Sequence, residues 1–219
     1  MRDTLFVINP NSNQAVTDGI DTAINALRRA DGPRIQCVTL VDGPAGIQSQ
    51  QDADNAAVLV ARFAREHRHQ AVGFITACFS DPGLHALREF NDVVSFGISE
   101  CAALTAMTLG QRIGVIAILS NSIPRHWRTW GAMGISTRVA GEVAIGRTVA
   151  ELADKDATLE AMIDAGRQLR DAHDANVLVM GCAGMAPYRA HLQDAVGLPV
   201  VEPTQAAVSM ALARLQLGW

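Results

Sequence analysis

The sequence lacks the features that mark several classes of protein. It has no basic tract and a formal net charge of -4 at pH 7, so we expect neither a nucleic-acid partner nor an anionic membrane partner. Its apolar runs are only of strand length, which predicts no transmembrane helix. No leader of the secretory type is visible, and a cytoplasmic location is therefore expected.

Patterns typical of metal sites and disulfides are also missing. The four cysteines have no Cys-x-x-Cys spacing, and no His-x-x-x-His pair occurs. Without a secretory leader, we expect free thiols in a reducing compartment. We predict no metal site.

Apolar residues are plentiful enough for a real core, since they make up 49% of the 219 positions. Short β-branched runs alternate with longer helix-period segments, which predicts an α/β fold with parallel sheets covered by helices. The predicted strands are residues 4–9, 34–40, 71–77, 93–98, 112–119, 135–140, 176–181 and 198–201. The predicted helices are residues 13–30, 52–67, 82–90, 99–109, 123–132, 157–173, 186–195 and 204–217.

The two halves of this pattern resemble a repeat, because a cysteine follows the third strand of each half. We therefore predict two similar pseudosymmetric lobes, each with a four-stranded parallel sheet flanked by helices. Residues 1–97 plus 203–219 would form the first lobe, and residues 98–202 the second. Ligands of parallel sheets bind beyond the carboxyl ends of the strands, so we expect the active site in the cleft between the lobes.

Cys78 and Cys182 stand in matching surroundings. Each ends an apolar run of strand type and is followed by small residues, a proline and a helix-like segment. A thiolate is stabilised beside a helix start, so two such groups could act as base and acid on opposite faces of a carbon acid. An oxygen that gains charge in the resulting enolate could be held by backbone N–H groups at Phe79, Ser80, Ala183 and Gly184.

A lone apolar cysteine is more often a small core residue than a catalytic one. That interpretation suits Cys37, which lies inside a strand pattern, and Cys101, which lies in an alanine-rich helix. The shared context of Cys78 and Cys182 argues against it for those two.

The same residues carry a resemblance to a known family. Ala-Cys78-Phe-Ser-Asp-Pro-Gly-Leu and Gly-Cys182-Ala-Gly-Met-Ala resemble the two cysteine motifs of hydantoin and allantoin racemases, within the aspartate/glutamate racemase superfamily. Ile8-Asn-Pro-Asn-Ser is similar to their Asn-Pro-Asn-Thr/Ser motif. Gly43-Pro-Ala-Gly-Ile-Gln-Ser matches their Gly-Pro-x-Ser-Ile-Glu-Ser segment in part. The resemblance spans nearly the whole chain.

The resemblance implies a racemase that needs no cofactor and is generally a homo-oligomer. Its substrate would be a small molecule, either a 5-substituted hydantoin or allantoin. Cys78 and Cys182 would be the catalytic acid/base pair. The implied substrate contacts are Asn11, Gly46, Ile47, Phe79, Ser80, Ser120, Ala183 and Gly184.

Several positions depart from the family pattern. Ser80 stands where glycine is usual, Gly46 and Gln48 replace a serine and a glutamate, and Glu202-Pro203 replaces Asp-Gly. These changes leave the substrate more open than the reaction type. The alternatives are an amino-acid racemase, a decarboxylase or isomerase relative, and a non-catalytic ligand-binding or redox-sensing protein.

Some polar residues near the motifs have a structural explanation beside the functional one. Asn9 and Asn11 suit a turn, Ser120 suits a helix cap, and Asp81 is expected to cap the helix at 82–90.

Helix residues 123–132 hold two arginines, a histidine and two tryptophans. We expect Arg125 and Arg128 to be solvated and His126 to lie at the surface, which leaves no basic clamp for a carboxylate and agrees with a neutral substrate. Trp127 and Trp130 are expected in the core, over the cleft or at an oligomer contact. Residues 141–156 are predicted to be a loop near the rim that helps to close the site.

Overall fold

Two four-stranded parallel sheets organise the structure, a computed structural model that describes residues 2–219. The strands of the first sheet, in the order β2-β1-β3-β4, are β1 (Thr4–Asn9), β2 (Arg34–Thr39), β3 (Ala71–Thr76) and β4 (Val94–Gly97). Those of the second, in the order β6-β5-β7-β8, are β5 (Ile113–Ala117), β6 (Val139–Ala144), β7 (Val177–Met180) and β8 (Val200–Val201). The predicted α/β fold with two four-stranded parallel sheets is therefore confirmed.

Helices connect the strands and cover both sheets. They are α1 (Gln14–Ala23), α2 (Gln50–His67), α3 (Leu84–Leu87), α4 (Ile98–Leu109), α5 (Ile123–Ala132), α6 (Lys155–His173), α7 (Arg189–Val196) and α8 (Pro203–Leu217). None of the helices in residues 2–219 is both long enough and apolar enough to cross a bilayer.

The central strands are buried along their whole length because helices pack on both faces of each sheet. Every residue of β1 and of β5 is buried. Side-chain caps define where several helices begin: Ser49 and Asp52 form a capping box at α2, and Asp154 caps α6.

The two sheets have the same topology, because each begins with a central strand and adds the later strands in the same order. Where β3 ends, the N–H of Ala77 donates to the carbonyl of Ile8 at 2.8 Å. Where β7 ends, the N–H of Gly181 donates to the carbonyl of Ile116, also at 2.8 Å. The residue after each of these two donors is one of the paired cysteines.

One strand lies further along the chain than the sequence predicts, and two helices are shorter than predicted. The strand predicted at 135–140 is Val139–Ala144, because Gly134 has a positive φ of 72° and Ser136–Arg138 form a 3-10 turn. Residues 141–144 are therefore strand and not part of the predicted loop. The helix predicted at 13–30 ends at Ala23, and the one at 82–90 is only Leu84–Leu87.

Helices α4 and α8 pack against each other between the sheets. α8 also contacts β3, β4 and α1, whereas α4 touches strands of both sheets. The assignment of residues 1–97 plus 203–219 to one lobe and 98–202 to the other stays a prediction.

Candidate active site

The thiols of Cys78 and Cys182 line one small cavity between the carboxyl ends of the two sheets. The cavity has a volume of about 30 Å³, so its walls lie close together. Six other predicted contacts line it as well: Asn11, Ile47, Phe79, Ser80, Ala183 and Gly184. The structure thus brings together residues from separate loops of both halves of the chain.

The loop that carries Cys78 is held by Asp81. The Asp81 N–H donates to the Cys78 carbonyl at 2.9 Å, and Asp81 has a positive φ of 44°. Its carboxylate accepts the N–H groups of Ser99 and Glu100 at 2.9 and 3.0 Å, so Asp81 caps α4. The prediction that Asp81 caps the following helix is therefore wrong, because the N-cap residue of α3 is Gly83, which provides no side-chain cap. Burial raises the pKa of Asp81 to about 7.

The loop that carries Cys182 needs a glycine before the cysteine. A Cβ at Gly181 would lie 2.5 Å from the Ile116 carbonyl oxygen, closer than any side chain can approach. After Cys182 the chain turns into a 3-10 helix, Ala183–Tyr188, and the N–H of Met185 donates to the Cys182 carbonyl at 3.1 Å. The close passage of this loop over the end of β5 fixes where the thiol lies.

The pKa values of both thiols are raised in this site. Burial raises the pKa of Cys78 to about 12, although the backbone N–H of Ser80 acts in the opposite direction. Burial raises the pKa of Cys182 to about 11, opposed by the N–H of Gly184. The sequence suggested a stabilised thiolate from the nearby helix starts. In the structure the backbone donors are present, but the loss of water outweighs them.

Asn11 presents one half of its amide to the cavity. Its Oδ1 accepts from Asn9 Nδ2 at 3.0 Å and from the Asn13 N–H at 2.9 Å. Asn9 Nδ2 also donates to Thr17 Oγ1 at 3.0 Å, which ties the loop to α1. Asn11 Nδ2 has no hydrogen-bond partner among residues 2–219, so this N–H group can donate to a ligand.

We expected Arg125 to be solvated, but it is buried in the wall of the cavity. Only 8% of the residue is exposed, and its Nε donates to Ser80 Oγ at 2.7 Å. The serine hydroxyl that departs from the family pattern is thus the partner of this guanidinium. The expectation of a solvated Arg125 fails because α5 begins at the carboxyl end of β5, which turns its first residues toward the cleft.

His126 also lines the cavity and is not at the surface. It is 3% exposed, and its Nδ1 is hydrogen-bonded to the fully buried carboxylate of Glu142 on β6. The ring stands edge-on to Phe79, with centroids 5.1 Å apart. Ser122, Arg125 and His126 are spaced as neighbours on one helix face, a signal that could have marked them once α5 was placed after β5.

Two predicted contacts lie away from the cavity wall. Ser120 is exposed at the start of a 3-10 turn, and Ser122 of the same turn reaches the cavity instead. Gly46 lies behind the wall, where a Cβ would be 3.0 Å from Val149.

The segment between β6 and α6, residues 145–154, covers one side of the cavity. Val149 lines it, and Leu152 packs on Gly184, where a Cβ would lie 3.0 Å from Leu152 Cδ1. The hydroxyl of Tyr188 donates to the Leu152 carbonyl at 2.5 Å, which fixes the segment to the 3-10 helix Ala183–Tyr188. Behind the cavity, Trp130 is fully buried in the core, whereas Trp127 is 38% exposed.

Within residues 2–219, no group of three or more His, Cys, Asp and Glu side chains is arranged to hold a metal ion. The chemistry available in the cavity is that of two thiols, two hydroxyls, one amide, one guanidinium, one imidazole and several backbone N–H groups. Such groups can exchange protons and hold oxygen atoms that carry negative charge.

Comparison with known proteins gives a consistent result. A family model described as Asp/Glu/Hydantoin racemase matches residues 5–211. A hydantoin racemase of Pseudomonas sp. (strain NS671) is 31% identical to this chain over 214 residues, which are 97% of this chain and 86% of that protein. A hydantoin racemase of Rhizobium meliloti is 32% identical over 220 residues, 98% of this chain and 90% of that protein. The solved structure of an allantoin racemase from Klebsiella pneumoniae matches with a TM-score of 0.91 at 29% identity, over 98% of this chain and 88% of that chain.

Proposed function

We infer the function from family and site together: this chain belongs to the Asp/Glu/hydantoin racemase family and is an isomerase of the racemase type. We propose that its substrate is a 5-substituted hydantoin or allantoin. We further propose that Cys78 and Cys182 carry out the reaction as a pair of acid and base, without a cofactor. A homo-oligomer, as the resemblance implies, remains a prediction.

The observation that carries this proposal is the equivalence of the two thiols. Each follows the third strand of its own sheet, one residue after a backbone N–H that bonds the central strand, and both line the same cavity. A racemase must take a proton from one face of a carbon and return one to the opposite face. Two like groups on opposing walls meet that need in either direction.

In the proposed reaction one cysteine is a thiolate and the other a thiol. The thiolate takes the proton from the ring carbon that lies between a ring N–H and a carbonyl, and so becomes a thiol. The C–H electrons move into the carbonyl and form an enolate. The opposite thiol then donates its proton to the other face and becomes the thiolate, so the pair has exchanged roles and the substrate has the inverted configuration.

The enolate oxygen needs donors that are already in place. Asn11 Nδ2 borders the cavity without a partner within residues 2–219 and would supply one, whereas the N–H groups of Ser80 and Gly184 would stabilise whichever cysteine is the thiolate. Few waters fit in so small a cavity, which strengthens these interactions. The segment that contains Val149 and Leu152 would have to move to admit a substituted ring.

The test is a panel of enantiopure 5-substituted hydantoins, allantoin and amino acids. We expect loss of optical rotation for at least one cyclic substrate, together with solvent deuterium at the inverted carbon in heavy water. Deuterium uptake and racemisation limited to free amino acids would contradict the proposed substrate class. Absence of both, with reversible oxidation of the thiols linked to ligand binding, would favour a binding or sensing protein.

A further inference from the structure

The guanidinium of Arg125 has no ion-pair partner within residues 2–219, although the residue is more than nine-tenths buried. Its Nε donates to Ser80 Oγ. Its two terminal nitrogens have no hydrogen-bond partner, and no carboxylate lies within ion-pair distance of it, among residues 2–219. A cation in this state has lost most of its hydration without gaining an ion-pair partner, which is unfavourable unless a ligand supplies the missing charge.

Ser80 contributes to this arrangement in two ways. Because its oxygen accepts from Nε, it orients the guanidinium plane and leaves the two terminal nitrogens for another group. Its own hydroxyl hydrogen remains available to donate to the same group. A planar guanidinium presents paired N–H groups that match the two oxygens of a carboxylate.

The position of the pair indicates which part of a substrate it would meet. Ser80 and Arg125 line the thiol cavity and also an adjoining cavity of about 510 Å³. The other charged groups that line the adjoining cavity are of both signs, namely Arg88, Arg128, Asp54, Asp81 and Glu100. Arg88 is paired with Glu100, and Asp81 caps α4, so the feature that distinguishes Arg125 is its lack of an ion-pair partner. A ring held between the thiols would send its substituent past Ser80 toward the unpaired terminal nitrogens of Arg125.

We propose that Arg125 binds an anionic substituent of the substrate, and that the substrate class is a hydantoin whose 5-substituent ends in a carboxylate. This inference rests on the proposed function and replaces the neutral substrate expected from the sequence. Ser80 is the positioning residue for the guanidinium. The carboxylate enters as the missing counter-ion, so the enzyme selects against neutral analogues of the same shape.

A competing role for Arg125 would be to stabilise the thiolate of Cys78, since the charges of the two groups act on each other's pKa. The two roles differ in a measurable way. Thiolate stabilisation would affect all substrates equally, whereas recognition affects only those with a negative charge.

The experiment compares 5-(carboxyethyl)hydantoin with its isosteric amide, 5-(carbamoylethyl)hydantoin. We expect the intact enzyme to prefer the carboxylate, and Arg125→Gln to lower the ratio of the two kcat/KM values by about 30-fold or more, mainly through KM. Arg125→Lys should restore part of the preference. Losses from folding or thiol chemistry cancel in the ratio.

Arg128→Gln is the matched control, because it removes the same charge from an exposed position one turn along the same helix. It should change the ratio by no more than about threefold, as screened charges do. An equal loss on both substrates in Arg125→Gln, or no preference in the intact enzyme, would overturn the proposal.

A binding measurement separates this inference from the proposed function. In a Cys78→Ala/Cys182→Ala protein, calorimetry should show tighter binding of the carboxylate than of the amide, and Arg125→Gln should abolish the difference. If that holds while the intact enzyme racemises neither compound, then anion recognition stands and the proposed reaction fails. Racemisation of neutral hydantoins, with equal binding of acid and amide, would support the proposed reaction and overturn the anion site. Binding of N-carbamoyl glutamate, an open-chain compound, tests whether the ring is needed. Tighter binding of this compound than of the cyclic carboxylate would support the anion site and contradict the cyclic substrate.

Discussion

His126 Nδ1 is hydrogen-bonded to the carboxylate of Glu142, and both side chains are almost completely removed from solvent. The bond joins α5 to β6 directly behind Phe79, whose ring meets the imidazole edge-on. Glu142 Oε2 has no hydrogen-bond partner within residues 2–219. His126 is therefore the hydrogen-bond partner that offsets the burial of this carboxylate. The loop that carries Cys78 packs against the His126–Glu142 pair through Phe79.

A double-mutant cycle should show that the two residues act as a unit. His126→Leu leaves a buried carboxylate without its partner and should lower the free energy of unfolding by about 3–5 kcal/mol. Glu142→Leu should cost a similar amount, and the double variant should cost clearly less than the sum. Urea unfolding of the four proteins measures the coupling, and additive losses would mean that the pair contributes nothing as a pair. Glu142→Gln, which keeps an acceptor for the imidazole, serves as the milder control.

The two cysteines should be equally indispensable. Cys78→Ser and Cys182→Ser each leave a hydroxyl, which is a far weaker acid than a thiol, so each should lower kcat/KM for racemisation by about 10²–10⁴-fold. Cys37→Ser provides the matched control, since this half-buried thiol lies on β2 outside the cavity. Polarimetry at equal protein concentration, with circular dichroism to verify folding, gives the answer. Full activity in either Cys78→Ser or Cys182→Ser would exclude the two-base mechanism.

The pH dependence of the reaction follows from the raised pKa values of the thiols, about 11 for Cys182 and about 12 for Cys78. The active form has one thiolate and one thiol, and its population grows as pH rises toward the lower of these values. It declines only once both groups are ionised. Between about pH 6.5 and 9.5 we therefore expect log kcat/KM to rise with a slope of about one, after correction for uncatalysed racemisation and ring ionisation. A maximum near pH 7 would show that the thiols titrate much lower.

Gly97 should not tolerate a side chain, because a Cβ there would collide with Asp81 Cγ. Gly97→Ala would displace the carboxylate that caps α4 through Ser99 and Glu100, and we expect the free energy of unfolding to fall by about 2–4 kcal/mol. Gly19→Ala is the control in α1, where no atom lies within 4 Å, and it should be neutral or stabilising by up to about 1 kcal/mol. Urea denaturation distinguishes the two, and equal stability of Gly97→Ala and the parent protein would refute this account of the cap.

Asn11→Asp tests the single amide donor of the cavity. The variant keeps an oxygen that accepts from Asn9 and from the Asn13 N–H, but it replaces the free donor with an acceptor and adds a negative charge beside the thiols. We expect kcat/KM to fall at least about tenfold with little change in the urea midpoint. Asn13→Asp should leave both nearly unchanged, because Asn13 only caps α1 and aspartate caps a helix equally well. An Asn11→Asp enzyme with normal kinetics would remove Asn11 from the site.

Most strands could be located from the sequence because a strand buried on both faces is a short, continuous run of mainly apolar residues. The 135–140 strand was misplaced because Ile135 and Thr137 have the right residue type, whereas the actual strand contains Gly141 and the charged Glu142. Glu142 is tolerated there only because His126 reaches it, a contact that no local pattern contains.

The sequence by itself determined the α/β fold, the repeat and the placement of Cys78 and Cys182 after equivalent strands, because these depend on local periodicity and on the common edge where parallel strands end. Only the tertiary structure decided the charge and shape of the cavity. Arg125 and His126 have the sequence context of surface residues, and burial arises from the way α5 enters from β5 and turns its first residues against Ser80 and Phe79. The raised pKa values of the thiols have the same origin, since desolvation depends on all the walls of the cavity at once.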